Sequence, residues 1–242
     1  MKRLRSISSL IIHLTFFVLM AALIHGCDYG QTNAKHHTKG IDVSHYQGTI
    51  NWKTVAKGQI KFAIAKASGG DGYIDPMFKV NWQGIRENEL IRGAYHFYYP
   101  NIDPIEQAKH YLKTVNGFLK KDLPPILDIE VTEGQDANKI VQGALRWIKK
   151  VENVTKRRPI IYSDKAFVSE YLNSPELAQY PLWVADYSEE IASLPSHWEK
   201  PGWLIWQHSQ QGQLEGISAQ VDLNKFSGSL RQLRHFVKHS HL

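Results

Sequence analysis

Short apolar runs alternate with stretches of helical periodicity from Lys39 onward. This order is typical of β/α units arranged around a parallel sheet. The candidate strands are Gly40 to Val43, Phe62 to Ala67, Ile91 to Phe97, Pro125 to Ile129, Pro159 to Tyr162, Leu182 to Ala185, Leu204 to Gln207 and Gln220 to Leu223. Eight such runs predict a β/α barrel.

One helix is predicted between Asp103 and Leu119, where apolar residues recur at spacings of three and four and so share one face. Its start is marked by Asp103 as a cap, by Pro104 in the first turn and by Glu106 three residues after the cap. We therefore expect this helix to pack outside the sheet.

Two further helices are indicated. One should begin at Asp75-Pro76, and the other carries the apolar pattern Val141, Ala144, Leu145, Ile148 and Val151. After Asp164 the alternation is looser, so the second half of the barrel is expected to lack full helices.

The N-terminal segment reads as an export signal, with a basic start at residues 1–5 and a mostly apolar run over residues 7–24. The run ends at Ile24-His25-Gly26-Cys27, which is similar to a bacterial lipobox. Cys27 is the only cysteine, so lipid attachment is favoured over a disulfide, an uncleaved anchor or an ordinary cleaved signal. The predicted organisation is a lipoprotein-type signal at 1–27, a polar tether at 28–38 and one catalytic domain at 39–242.

The charge of the chain does not favour nucleic acid as a partner. The formal net charge of +6 falls to +3 without Lys2, Arg3 and Arg5, and the remaining basic residues are scattered. The stripe of Lys and Arg along one element that a phosphate-backbone binder would need is not found in the sequence.

The motif Leu123-Pro-Pro-Ile-Leu-Asp-Ile-Glu130 is an apolar strand that ends in two acids separated by one residue. Alternation along a strand places Asp128 and Glu130 on one face. Two carboxylates buried together raise the proton affinity of one of them, which is the arrangement that glycosidic bond cleavage requires.

Further acids stand at the ends of other candidate strands, namely Asp42, Asp222 and Asp186. Residues at the carboxyl ends of barrel strands meet around one site, so we expect these acids to converge with the first two. The structural alternative is that Asp42 and Asp222 bind backbone groups or Lys66 to close the barrel.

Aromatic residues near the same strand ends suit a carbohydrate cleft, because aromatic faces stack on sugar rings. They are Tyr46, Tyr95, Tyr98, Tyr99, Tyr162, Trp183, Tyr187 and Trp206. His45 and His96 lack a partner at zinc-ligand spacing, and Ser44 and Ser163 lack a nucleophile-elbow context. No metal or cofactor is expected.

At this point the chain resembles the glycoside hydrolase family 25 lysozymes, the Chalaropsis-type muramidases, over residues 39–226. The resemblance is carried in order by Gly40-Ile-Asp-Val-Ser-His-Tyr-Gln-Gly48, Ile50-Asn-Trp52, Phe62-Ala-Ile-Ala-Lys66, Arg92-Gly-Ala-Tyr-His-Phe97, Leu123 to Glu130, Pro159-Ile-Ile-Tyr162, Trp183-Val-Ala-Asp-Tyr187, Trp206-Gln207 and Val221-Asp-Leu-Asn224.

The resemblance implies an irregular, flattened TIM-like β/α barrel. It also implies hydrolysis, with retention of configuration, of the β-1,4 bond between N-acetylmuramic acid and N-acetylglucosamine in peptidoglycan. Glu130 would be the general acid/base, while Asp128, Asp42 and Asp222 would shape and charge the reacting subsite. The cleft would be lined by Tyr98, Tyr162, Trp183, Asp186 and Gln207.

The interpretation adopted is therefore an exported, monomeric muramidase of the cell envelope. Its partners are glycan strands and, through the lipid on Cys27, a membrane; without the lipid it would be secreted or periplasmic. Two alternatives stay open from the residues alone. One is a metal-dependent barrel phosphodiesterase, because clustered acids also bind Mg²⁺ or Ca²⁺. The other is a non-catalytic wall-binding lipoprotein.

Overall fold

The strands of the protein form one sheet in a computed structural model that describes residues 37–190 and 193–240. The strands are Thr38–Val43 (β1), Phe62–Gly69 (β2), Tyr73–Ile74 (β3), Ile91–Phe97 (β4), Ile126–Asp128 (β5), Ile160–Asp164 (β6), Leu182–Ala185 (β7), Ile205–Gly212 (β8) and Val221–Phe226 (β9). The predicted signal, Cys27 and the tether up to residue 36 lie outside the described residues.

The sheet closes on itself, because β1 pairs with both β2 and β9. The closed barrel has the order β1-β2-β4-β5-β6-β7-β8-β9, and β3 is added to the edge of β2 as an antiparallel partner. Strands β1, β2 and β4 to β8 run parallel, whereas β9 is antiparallel to both of its neighbours. The prediction of an irregular TIM-like barrel is confirmed.

The helices are Trp52–Lys57 (α1), Phe78–Glu87 (α2), Pro104–Thr114 (α3), Ala137–Thr155 (α4), Lys165–Tyr171 (α5), Ser196–Glu199 (α6) and Leu230–His239 (α7). Beyond β6 the helices between strands are short, as the loose alternation predicts: α5 has seven residues, α6 has four, and β8 and β9 are antiparallel neighbours joined without a described helix.

Capping explains where α3 begins. The carboxylate of Asp103 accepts hydrogen bonds from the backbone amides of Ile105 and Glu106 at 2.7 and 3.2 Å, and Pro104 is in the first turn. The helix ends at Thr114, five residues before the predicted end, and the chain turns away at Gly117, whose φ is +102°.

The second predicted helix start was placed too early. Helix α2 begins at Phe78 rather than at Asp75. Oδ1 of Asp75 accepts from the backbone amide of Met77, and Oδ2 accepts from the side chain of His45. Asp75 therefore joins the β3–α2 connection to the β1–α1 connection.

Two apolar layers follow from the alternation along the strands. Phe62, Ile64 and Ile126 point into the barrel, and their neighbours Ala63, Ala65 and Leu127 pack outward against the helices. The inner layer fills the barrel, so polar side chains that point inward are expected at its ends.

The domain also starts earlier than expected. Thr38 was assigned to the polar tether, yet it is buried, and both its amide and its hydroxyl donate to the carbonyl of Gly228 at 2.9 Å. Within residues 37–190 and 193–240, no helix has the length and apolarity needed to span a membrane.

Candidate active site

A cavity of about 210 Å³ opens at the end of the barrel where the parallel strands finish. All eight barrel strands, or the residues just after them, contribute to its lining. The lining residues are Asp42, Val43, Ser44, Tyr46, Gln47, Lys66, Tyr95, Asp128, Glu130, Tyr162, Trp183, Tyr187, Gln207, Gln210 and Asp222. Four of the five acids expected to converge therefore share one cavity, and Asp186 is the exception.

Asp128 and Glu130 form the first carboxyl pair. Asp128 is the last residue of β5 and is buried, whereas Glu130 follows the strand and is partly exposed. Burial and the charge of Glu130 raise the pKa of Asp128 well above its usual value. Burial and the charge of Asp164 raise the pKa of Glu130. Ionising both carboxyls at once is unfavourable, so the pair tends to retain one proton.

Asp42 and Asp222 form the second pair, as opposite residues on β1 and β9. Burial and the charge of Asp222 raise the pKa of Asp42 well above its usual value, and burial also raises the pKa of Asp222. The sequence interpretation placed Asp222 at the end of a strand. It is instead the second residue of β9, and it reaches the cavity because that strand runs in the opposite direction.

Two amides hold the carboxylate of Asp42. Its Oδ1 accepts from Nε2 of Gln207 at 2.9 Å and from Nδ2 of Asn224 at 2.6 Å. The amide of Asn224 is itself oriented, since its Oδ1 accepts from the indole of Trp183 at 2.8 Å. These side chains are almost completely buried, so the direction of each amide is determined by its partners.

The amide of Gln207 is oriented in the same way. Its Oε1 accepts from the hydroxyl of Tyr187 at 2.8 Å and from that of Tyr162 at 3.0 Å. The Tyr162 hydroxyl also lies close enough to Glu130 to lower the pKa of that carboxyl. The hydroxyl of Tyr162 carries one hydrogen, which can be donated either to Gln207 or to Glu130. One hydroxyl thus links the two carboxyl pairs.

Lys66 is the one Lys or Arg among the cavity-lining residues of the described chain. Its ammonium lies 4.8 Å from the ring centroid of Phe97 and 5.8 Å from those of Tyr95 and Tyr73. Its charge opposes the effect of burial on the carboxyl pair of β5, because it acts to lower the pKa of both members.

Two residues expected in the cleft lie elsewhere. Tyr98 is buried between the barrel and α4, where a Cβ on Gly143 would stand 2.2 Å from its hydroxyl oxygen. Phe97 ends β4 facing inward, so the next side chain faces outward. Asp186 pairs with Lys165 at 3.0 Å and accepts from Ser188 at 2.6 Å instead of lining the cavity. Burial acts to raise the pKa of Asp186, but these bonds outweigh it and the pKa is lowered.

Asn224 is the functional candidate that the sequence interpretation missed. It stands two residues after Asp222, so strand alternation alone puts both on one face. That signal was present in Val221-Asp-Leu-Asn224, but an asparagine carries no charge to draw attention to it. Lys66 was considered as a partner for barrel closure, and the structure places it in the lining of the cavity.

The two histidines considered as metal ligands are used in separate places. His96 is buried, with Nδ1 2.9 Å from Ser68 Oγ, and burial lowers its pKa to about 3. His45 lies 2.8 Å from the Asp75 carboxylate. Within residues 37–190 and 193–240, no three His, Cys, Asp or Glu side chains are grouped as metal ligands.

Comparisons with known proteins converge on one family. The model of the family described as glycosyl hydrolases family 25 matches residues 41–217. The Escherichia coli K12 protein called uncharacterized protein YegX is 38% identical over 84% of this chain and 75% of its own length. Lysozyme M1 of Streptomyces globisporus is 34% identical over 81% of this chain and 69% of its own. The crystal structure of a bacterial lysozyme from Streptomyces coelicolor superposes with a TM-score of 0.79 at 31% identity, covering 85% of this chain and 99% of that one.

Proposed function

Because the chain belongs to glycoside hydrolase family 25, and is accordingly a glycosidase, we propose that it is a lysozyme that hydrolyses the glycan strands of bacterial peptidoglycan. The bond cut is the β-1,4 linkage between N-acetylmuramic acid and N-acetylglucosamine, with retention of configuration. The observation that carries this proposal is the cavity lined by two carboxyl pairs and by the aromatic side chains of Tyr95, Tyr162 and Trp183.

Glu130 is proposed as the general acid/base. It is the more exposed member of its pair, so its carboxyl can reach a glycosidic oxygen in the cavity, and its raised pKa retains a proton for the leaving group. Asp128 lies deeper in the cavity. When the proton of the pair is on Glu130, Asp128 is an anion that faces the same site.

Asp128 and the pair of Asp42 and Asp222, which carries one negative charge when its other carboxyl is protonated, are proposed to stabilise the positive charge that develops on the sugar ring. An oxocarbenium-like transition state is favoured by fixed negative charge in a cavity of low dielectric. The amides of Gln207 and Asn224 hold Asp42 in place for this purpose. Tyr162 and Trp183, whose ring centroids are 4.4 Å apart, are proposed to line the sugar-binding surface.

The experiment that tests the proposal is digestion of purified peptidoglycan by residues 37–242, followed by mass spectrometry of the released muropeptides. The expected products carry reducing N-acetylmuramic acid and form without added metal. Products that end in reducing N-acetylglucosamine or in an anhydro sugar would contradict the assignment of the bond.

We also propose that the enzyme is exported and held at the cell envelope as a monomer with a lipid on Cys27. The apolar run before Cys27 and the formation of the whole cavity by one chain support this proposal. Cys27→Ser should abolish palmitate labelling and leave an unprocessed precursor. A wild-type protein that takes up no palmitate would show that Cys27 is not an anchor.

A further inference from the structure

The most exposed aromatic side chain of the cavity rim is Tyr46, at 77% exposure. It lies in the middle of a 3-10 turn, His45–Gln47, that follows β1. Within the described part of the chain, its hydroxyl forms no hydrogen bond. The folded protein therefore gains little from this ring, although the ring borders the cavity.

The turn under Tyr46 is anchored on one side by Gln47. The Gln47 side chain donates to the carbonyl of Gln220 at 2.9 Å, just before β9, and accepts from the amide of Ser44 at 2.8 Å. The amide of Gly48 bonds the carbonyl of His45 at 3.0 Å. This side of the turn is thus joined to the strand that carries Asp222.

On the other side the turn is anchored by His45 and Asp75. The Asp75 side chain is completely buried, and its Oδ2 accepts from the backbone amide of His45 at 3.1 Å and lies 2.8 Å from its ring. The hydroxyl of Tyr73 stands 3.3 Å from the same ring nitrogen. The ring of His45 then supports Tyr46, with centroids 4.1 Å apart.

We propose that Tyr46 is a stacking platform for a saccharide of the glycan strand beyond the one held over the carboxyl pairs, and that His45 and Asp75 are its positioning residues. One face of the Tyr46 ring is held by the turn and by His45, and the rest of the ring is exposed to solvent, which is what stacking on a sugar face requires. The occupant is a neutral N-acetylated hexose unit in a chain longer than the cavity can hold. This inference rests on the proposed function and deepens it.

The test compares two substrates prepared from peptidoglycan, a short glycan of two disaccharide repeats and a long glycan of several repeats, with wild type, Tyr46→Ala, Tyr46→Phe and Asp75→Asn. For Tyr46→Ala we expect kcat/KM on the long glycan to fall about tenfold, mainly through KM, and to fall much less on the short one. Tyr46→Phe keeps the ring and should retain the preference for length. Asp75→Asn should give a smaller loss of the same kind.

Val80→Ala on α2 is the matched control, because Val80 is also exposed, at 54%, and lies outside the cavity lining. Thermal unfolding of every variant checks that the fold survives. Equal losses on both glycans, or a loss in kcat alone, would overturn the platform. A wild type that cuts neither glycan would overturn the proposed function instead. The contribution of Tyr46 to glycan binding would then be measured by comparing the binding of the Glu130→Gln and Glu130→Gln/Tyr46→Ala proteins to insoluble peptidoglycan.

Discussion

Asp42 and Asp222 stand directly opposite each other on β1 and β9, although 180 positions separate them in the chain. The pairing exists because β9 enters the barrel antiparallel, so its first residues lie at the same end as the last residues of the parallel strands. Asp42 is buried and Asp222 is partly exposed, and two carboxyls so close cannot both be ionised at low cost, which is why the pKa of Asp42 is raised by burial and by Asp222.

The amide of Asn224 is expected to matter for catalysis. Asn224→Leu removes the 2.6 Å bond to Asp42 and leaves the buried indole nitrogen of Trp183 without an acceptor. We expect kcat to fall by about tenfold or more and the free energy of unfolding to fall by about 1–3 kcal/mol. Steady-state kinetics and denaturant titration measure the two effects. Asn101→Leu, on the surface, is the control, and unchanged kcat in Asn224→Leu would refute the positioning role.

The proton donor is tested by Glu130→Gln. Glutamine keeps the shape and the hydrogen bonding of the side chain but delivers no proton, so turnover of peptidoglycan should fall by roughly two to four orders of magnitude while glycan binding survives. Glu133→Gln is a matched control, because Glu133 is exposed three residues further along the chain. Near wild-type turnover in Glu130→Gln would show that another group donates the proton.

Aryl glycosides separate proton donation from charge stabilisation. A good leaving group needs little protonation, so the first step in Glu130→Gln should be rescued far more than in Asp128→Asn or Asp222→Asn. Burst kinetics with a nitrophenyl substrate measures that step. Equal rescue of the three variants would contradict the division of roles.

The pH dependence of the activity should respond to Lys66. Burial raises the pKa values of Asp128 and Glu130, and the Lys66 ammonium acts against this increase. Lys66→Met removes the charge, so both pKa values should rise and the alkaline limb of kcat/KM should move to higher pH, because the acid then loses its proton later. Lys66→Arg should restore the wild-type limb, and Lys61→Met, at the exposed end near β2, should leave it in place. An alkaline limb that moves to lower pH in Lys66→Met would refute the argument.

Asp128 is expected to lower the free energy of unfolding of the protein at neutral pH. Its pKa is raised in the folded state by burial and by Glu130, and its Oδ1 is buried without a hydrogen-bond partner in the described residues. The folded protein therefore holds a proton over a pH range in which the unfolded chain has lost it, and the free energy of unfolding falls as the pH rises through that range.

Asp128→Asn should therefore raise the melting temperature at pH 7 by a few degrees, given that 1 kcal/mol corresponds to roughly 2–4 °C in a domain of this size. The gain should shrink towards pH 4, about the pKa of an aspartate in the unfolded chain. Calorimetry across this range measures it, with the exposed Asp71→Asn as control. A gain that is equal at both pH values would mean that the carboxyl charge is not the cause.

Local patterns in the sequence predicted the features that depend on neighbouring residues. The cap at Asp103 and the proline after it mark the start of α3, because the groups that satisfy a helix end are a few residues away. The alternation through Asp128 and Glu130 likewise placed both acids at one cavity, because side chains two apart on a strand point the same way.

Other assignments depended on contacts between distant segments. The direction of β9 cannot be predicted from its own residues, because antiparallel and parallel strands show the same alternation. The pairing of β9 with β1 and β8 decides its direction. Asp186 looked like another acid of the site, yet Lys165 engages it. Tyr98 looked like a cleft aromatic, yet α4 covers it.

The sequence by itself thus determined which side chains could do chemistry, that they alternate on barrel strands, and that the order of motifs is that of family 25. Only the tertiary structure decided which of them meet. It paired Asp42 with Asp222, turned the amide of Asn224 towards Asp42, and placed Lys66 in the cavity. The physical reason is that periodicity specifies which residues share a face of one element. Barrel closure and burial decide which residues of other elements this face contacts.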